Sequence, residues 1–359
     1  MAAGDGTPSS QAPIQQRVSD VISCFRPCKS FKPESGSPSI TSLDFDDTGE
    51  LALVARDDDT LQIYNCKEGK HAKELKSQKY GVHLARFSHH AQSIIYASTK
   101  VDDGIRYLSS HDNSYIRYFK GHTQPVTCIS LSPASDNFLS CSEDGTVKLW
   151  ALNSQNIQGE LKLHSAYLAA YDPSATVIAI ASPPTQSVLL YDIRNYDKPP
   201  FASFDLAELG EKYSPKSRGR DWTRLEFSND GKSLLLGTNG PGHFILDAFD
   251  GALKHYCVRP STSNNPTGRK APGESGPGTV SQGDICISPD GRYVIGGSGT
   301  DTLAVWDIQS PSSSDKCLIP QTELPGIGRA AIVGYNPRNN LLLSADKNLL
   351  FWLPDMEVL

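Results

Sequence analysis

His122 and Asp144, 22 positions apart, are side-chain types that could work together as an acid–base pair. Other residues invite a chemical reading as well. Asp57, Asp58 and Asp59 form a run of carboxylates, Cys24 and Cys28 stand four apart, His89 and His90 are adjacent, and Gly296-Gly297-Ser298-Gly299 is glycine-rich. Each of these lacks the company its chemistry needs. Zinc needs a second ligand pair at suitable spacing, and none follows Cys24/Cys28. His89 and His90 fall in a turn between expected strands, without further ligands, and read as surface residues. A phosphate cradle needs a helix after its glycines, whereas Gly296–Gly299 follows one apolar strand-like run and leads into another. There is no Gly-x-Ser-x-Gly and no carboxylate pair outside a repeating register. No catalytic residue, metal or cofactor is expected.

What positions His122 and Asp144 is a repeat. An apolar run ends on an anchor at Tyr64, Leu108, Trp150, Tyr191, Leu246, Trp306 and Trp352, at spacings of 44, 42, 41, 55, 60 and 46 residues. Six positions earlier stand Asp58, Asp102, Asp144, Thr185, Gly240, Thr300 and Asp346, so a turn acid recurs in four of the seven copies. Upstream, apolar strands run into turns at Phe45-Asp46-Asp47-Thr48-Gly49, Leu131-Ser132-Pro133, Tyr171-Asp172-Pro173, Phe227-Ser228-Asn229-Asp230-Gly231, Ile287-Ser288-Pro289-Asp290-Gly291 and Tyr335-Asn336-Pro337. The third copy is complete, with Gly121-His122, Ser140, Asp144-Gly145 and Trp150. This is the WD40 signature, and its period predicts an all-β fold, a single seven-bladed WD40 β-propeller. Within it His122, Ser140, Asp144 and Trp150 are expected to form a structural tetrad, a buried polar chain in which every member is paired. That role explains His122 and Asp144 without a substrate.

The seventh copy ends almost at its anchor and supplies only three strands. The missing one is expected at residues 18–27, where Val18, Val21, Ile22 and Phe25 supply apolar weight. Pairing with the last blade would close the ring and limit exposed edges. The expected organisation is a disordered arm over 1–17, a propeller over 18–354 and a short tail over 355–359. Flexible insertions rich in polar, Pro, Gly or Ser residues are expected near 205–220, 259–280 and 310–317. A net charge of −6 offers no global attraction for nucleic acid or an anionic membrane. No run approaches the 18 apolar residues of a membrane span and the start is polar, so a soluble intracellular protein is expected. The eight cysteines stand singly or apart from any Cys-x-x-Cys pair, several as small fillers in strands, which fits reduced thiols. Lys212, Lys216, Arg218 and Arg220 lie within nine positions and could dock a phosphorylated or acidic peptide, although such runs are more often simply solvated.

Certain stretches are more particular than the fold. They include Lys79-Tyr80-Gly81, Asp102-Asp103-Gly104-Ile105-Arg106-Tyr107-Leu108-Ser109, His111-Asp112-Asn113 and Tyr115-Ile116-Arg117-Tyr118-Phe119. Later ones are Tyr191-Asp192-Ile193-Arg194, Pro200-Phe201-Ala202, Thr238-Asn239-Gly240, Asp247-Ala248-Phe249 and Phe351-Trp352-Leu353-Pro354. From about Val18 to Pro354 the chain resembles the WD-repeat subunit shared by the COMPASS histone lysine-4 methyltransferase complex and the cleavage and polyadenylation factor. The resemblance implies a nuclear, non-catalytic adaptor, monomeric within its complexes, with no membrane or direct nucleic-acid contact. Its implied partners are the catalytic subunit of the methyltransferase, the scaffold of the phosphatase-bearing polyadenylation module and, indirectly, the phosphorylated tail of RNA polymerase II. The arm and the insertions after Asp205 and Arg259 depart from the family pattern. A substrate receptor of a ubiquitin ligase is the alternative use of such a ring. Residues just before the turn acid, or entering each blade, commonly face a partner. Asp57, Tyr80, Gln124, Glu143, Arg220, Asn239 and Arg329 are the candidates on this register, with Tyr and Arg the types that tend to dominate binding energy.

Overall fold

The computed structural model describes residues 16–33, 36–165, 167–215, 221–263 and 265–358. They form seven sheets, each built on four antiparallel strands, in chain order around a ring. Every register anchor lies on the third strand of its blade, and all seven are buried, Trp150 and Trp306 completely. The period was readable because each blade repeats one local arrangement of turn and strand.

The alternation of strand character follows from the ring. Second strands such as Val177–Ser182 and Ser233–Thr238 are sandwiched by neighbouring blades on both faces and are almost wholly buried. They therefore read as unbroken apolar runs. Outer strands such as Lys70–Lys76 have one open edge, and their lysines and glutamate discourage further pairing. Between first and second strands, acidic side chains fold back on their own turn: Asp46 accepts from the Leu51 N–H at 2.7 Å and Asp172 from the Val177 N–H at 2.7 Å. Gly49, at φ +70°, lets the blade 1 turn meet its neighbour, where Asn336 of blade 7 donates to the Gly49 carbonyl at 2.8 Å. A Cβ there would lie 2.4 Å from the Asn336 amide oxygen. Apolar packing is divided among seven clusters of the described residues, each spanning the seam between adjacent blades.

The ring is closed by an N-terminal strand that overlaps the expected 18–27 only at residues 25–27. Val18–Val21 is a helical turn, Ile22–Cys24 a 3-10 turn, and the strand Phe25–Phe31 pairs antiparallel with Leu349–Pro354. The spacing of Val18, Val21, Ile22 and Phe25 is that of one helix face, which is why these residues do not alternate as a strand. The turn wedges Val21, Ile22 and Phe25 into the cluster between blades 6 and 7. The register shifts between Pro27 and Lys29, beside the anchor Trp352, as it does beside the anchors Tyr64, Leu108 and Leu246.

The insertions are also more structured than composition suggests. Ala207–Tyr213 is a helix, whose Tyr213 ring stacks on Tyr256 at 4.5 Å. Cys317–Leu318, after the Ser-rich stretch, adds a parallel fifth strand to blade 5. The expected disorder over 1–17 falls largely on residues outside the described ones, as do Lys216, Arg218 and Arg220.

Candidate functional site

The polar chain of blade 3 comes first because its residue types suggested chemistry. Trp150 Nε1–H donates to Ser140 Oγ at 2.8 Å, Ser140 Oγ lies 2.7 Å from His122 Nε2, and His122 Nδ1 lies 2.9 Å from Asp144. With the serine oxygen accepting from tryptophan, its own proton goes to Nε2 and the imidazole donates from Nδ1 to the carboxylate. Burial holds His122 below the usual histidine range despite Asp144, so the ring is neutral. Burial raises the Asp144 carboxyl, but bonds from Thr146, His122 and the Thr123 N–H outweigh it and bring it down to about 2. Both ring nitrogens are occupied and Ser140 is fully buried, which leaves no proton to exchange with a substrate. Ser140→Ala would orphan the Trp150 N–H and His122 Nε2 at once. It is expected to cost about 1–3 kcal/mol in urea unfolding, with the ring still folded.

The expected partner-facing residues belong to one face of the ring. In an antiparallel meander the turn between second and third strands and the connection to the next blade lie at the same end. Asp57, Glu143 and Asn239 occupy the former position, and Tyr80, Gln124 and Arg329 the latter. The structure separates them in other respects. Asp57, Gln124, Glu143 and Arg329 are exposed. Tyr80 is half-buried over the guanidinium of Arg106, 4.2 Å from its ring centre, while Tyr118 flanks the same guanidinium at 4.9 Å and Asp102 pairs with it. Asn239 is buried: its amide donates to the Arg269 carbonyl and accepts from Thr267, both at 2.5 Å, so it holds the chain rather than presenting itself to a partner. Arg220 lies outside the described residues.

Sequence reasoning missed what covers this face. The sequence predicts a mobile loop over 259–280, and in the structure the described residues of 259–283 are tied across the ring. The Arg259 guanidinium is fully buried and spends all five N–H donors, on Asp284 twice (2.5 and 3.2 Å), on the Gly240 and Thr238 carbonyls (3.1 and 2.9 Å) and on the Gly297 carbonyl. Arg269 pairs with Asp346 of blade 7 and donates to the Ile40 carbonyl at 2.9 Å, where blade 1 begins. Gln282 accepts from the Leu43 N–H at 3.0 Å. The strap thus joins blades 5, 6, 7 and 1, through partners up to 239 positions apart in sequence. No local pattern signals such pairs.

Between the strap and blades 1 to 3 lies a cavity of about 360 Å³. It brings Asp57 and Glu143 together and adds Asp59, Asp103, Ser98 and His83, with Lys270, Pro272 and Gly278 of the strap on the other side. Burial, then the nearby Arg86 and Lys270 charges, push His83 down to about 4, so it adds no positive charge at neutral pH. Asp59 is paired with Lys100. Tyr80, Gln124 and Arg329 do not line this cavity. Asp103 is readable as the residue after the turn acid Asp102, but only the ring shows that it lines the same cavity as Glu143 of the next blade. The site therefore offers a rigid, polar surface with an acidic recess and, among the described residues, no cluster of His, Cys, Asp or Glu suited to a metal.

Comparison with known proteins adds to this geometry. Residues 25–65, 113–151 and 276–307 match the family described as WD domain, G-beta repeat. Over most of its length the chain is similar to WD repeat-containing protein 82 of Drosophila melanogaster, with 36% identity covering 95% of this chain and 98% of the relative. The Set1 complex component swd2 of Schizosaccharomyces pombe is 36% identical over 93% of this chain and 98% of its own. The COMPASS component SWD2 of Saccharomyces cerevisiae is 32% identical over 92% and 96%.

Proposed function

Because this chain belongs to the WD-repeat family that contains WD repeat-containing protein 82 and the COMPASS component SWD2, we propose that it is a scaffold subunit of a nuclear histone methyltransferase complex. The observation that carries this reading is similarity across more than nine-tenths of both chains to relatives named for the Set1 and COMPASS complexes. In this role the protein is non-catalytic and grips a peptide segment of the methyltransferase's catalytic subunit. By the family resemblance it also serves the cleavage and polyadenylation machinery, through the scaffold of its phosphatase-bearing module, at RNA polymerase II termination. The face that carries Asp57, Tyr80, Gln124, Glu143 and Arg329 is the proposed docking face. It is built on strand ends held by a closed ring, so little order has to be gained on binding.

Affinity purification with mass spectrometry tests the assignment. The methyltransferase catalytic subunit and the polyadenylation scaffold are expected in stoichiometric yield, and ubiquitin ligase subunits in their place would overturn it. Tyr80→Ala with Arg329→Glu is expected to weaken recovery of both partners by about 2 kcal/mol, roughly thirtyfold in affinity, with the ring still folded by circular dichroism. Undiminished recovery of both would reject this face.

A further inference from the structure

We propose that the cavity beneath the strap receives the guanidinium of an arginine carried by a partner peptide, with Asp103 and Glu143 as its counter-charges. The inference deepens the scaffold reading and rests on it only for the partner's identity. Charge is the first observation. Of the carboxylates lining the cavity, Asp59 is taken by Lys100 and Asp57 accepts the Ser39 N–H at 2.8 Å. Asp103 and Glu143 form no ion pair among the described residues, and the cavity's own cation, Lys270, donates instead to the Gly276 carbonyl at 3.2 Å. Asp103 is held above the usual carboxylate range by burial and by the neighbouring Asp102 and Asp144 charges, as expected where negative charge is unmet.

The second observation is independent of charge. Ser98, in the cavity wall, is only 3% exposed and its hydroxyl has no hydrogen-bond partner among the described residues. A buried hydroxyl left unpaired in a native wall costs free energy that a ligand N–H would recover. The acceptors are spread over blades 2 and 3, too dispersed to close around one metal ion but suited to a planar fork of five donors. An ammonium, with three donors on one atom, would reach fewer of them.

The test uses the purified full chain and three probes: N-acetyl-arginine methylamide, its lysine counterpart and its citrulline counterpart, titrated by NMR. Saturable arginine binding is expected, about tenfold tighter than lysine and absent for the neutral citrulline. Asp103→Asn with Glu143→Gln should abolish it without lowering the melting temperature, and the exposed Glu143→Gln alone should weaken it if the double variant melts early. Equal binding of arginine and citrulline, tighter binding of lysine, displacement of the arginine probe by calcium or magnesium, or intact binding in the variants would each overturn the proposal. Copurification of the wild-type chain with the methyltransferase is read separately. Complexes retained without arginine binding reject the cavity assignment alone, whereas absent complexes reject the scaffold reading.

Discussion

Arg259→Met is expected to cost about 3–5 kcal/mol in urea unfolding, because it strands a buried carboxylate rather than merely removing a contact. Arg259 and Asp284 are both essentially inaccessible, at 0% and 1% side-chain exposure. Burial already holds the Asp284 carboxyl above its usual range even with the guanidinium beside it. Without Arg259, folded Asp284 would keep its proton to higher pH than the unfolded chain does. The sign of the pH dependence follows: the folded variant gains relative to the unfolded chain at low pH and loses as pH rises above the ordinary carboxylate range. Its deficit against the wild type should therefore be larger at pH 7 than at pH 5. Arg259→Met with Asp284→Leu should recover most of the loss, since a neutral filling needs no counter-charge. An Arg259→Met chain as stable as the wild type at pH 7 would show that the strap is not anchored there.

Deleting residues 1–31 is expected to abolish cooperative unfolding of the ring. The deletion removes the strand that covers the edge of Leu349–Pro354 and the buried Val21, Ile22 and Phe25. At roughly 1.5–3 kcal/mol for each of these three apolar side chains withdrawn from the core, the loss is about 4.5–9 kcal/mol. That is comparable with the whole stability of many folded proteins. Circular dichroism melts would show a broad transition or aggregation through the open edge. Adding a synthetic peptide of residues 16–33 should restore a sharp transition, since the deletion leaves its groove between blades 6 and 7 in place. A melting curve identical to the wild type would mean that closure is not carried by this strand.

The two predictions differ in how far the sequence foresaw them. A closing strand was expected because three strands remained after Ala331 for a blade that needs four, which is a matter of counting a repeat. Its residues were misplaced because apolar weight at Val18, Val21 and Ile22 does not by itself distinguish a helical turn from a strand, and the turn won by wedging into a seam. Nothing local foreshadowed the Arg259–Asp284 pair. Arg259 stands among polar, Pro and Gly residues of the kind that fill exposed loops, and only the approach of blades 5 and 6 encloses it. Asn239 illustrates the same limit from the other side. Its place before a turn made it a partner candidate, and the strap folding over it made it a buried clamp.

The sequence by itself determined the blade count, the anchors, the residues of the blade 3 polar chain and the kinship with SWD2-type WD-repeat proteins. All of these reside in short-range patterns, where turn residues and alternating side chains act on neighbours a few positions away. Only the tertiary structure decided where the ring closes, how the described residues of 259–283 cross it, and which carboxylates on that face have no counter-charge among the described residues. Those outcomes depend on residues far apart in sequence, on Asp346 pairing with Arg269 and on Glu143 and Asp103 of different blades lining one cavity. Their meeting is set by how seven similar blades pack in a circle, and their charges are satisfied or left open only once that packing is complete.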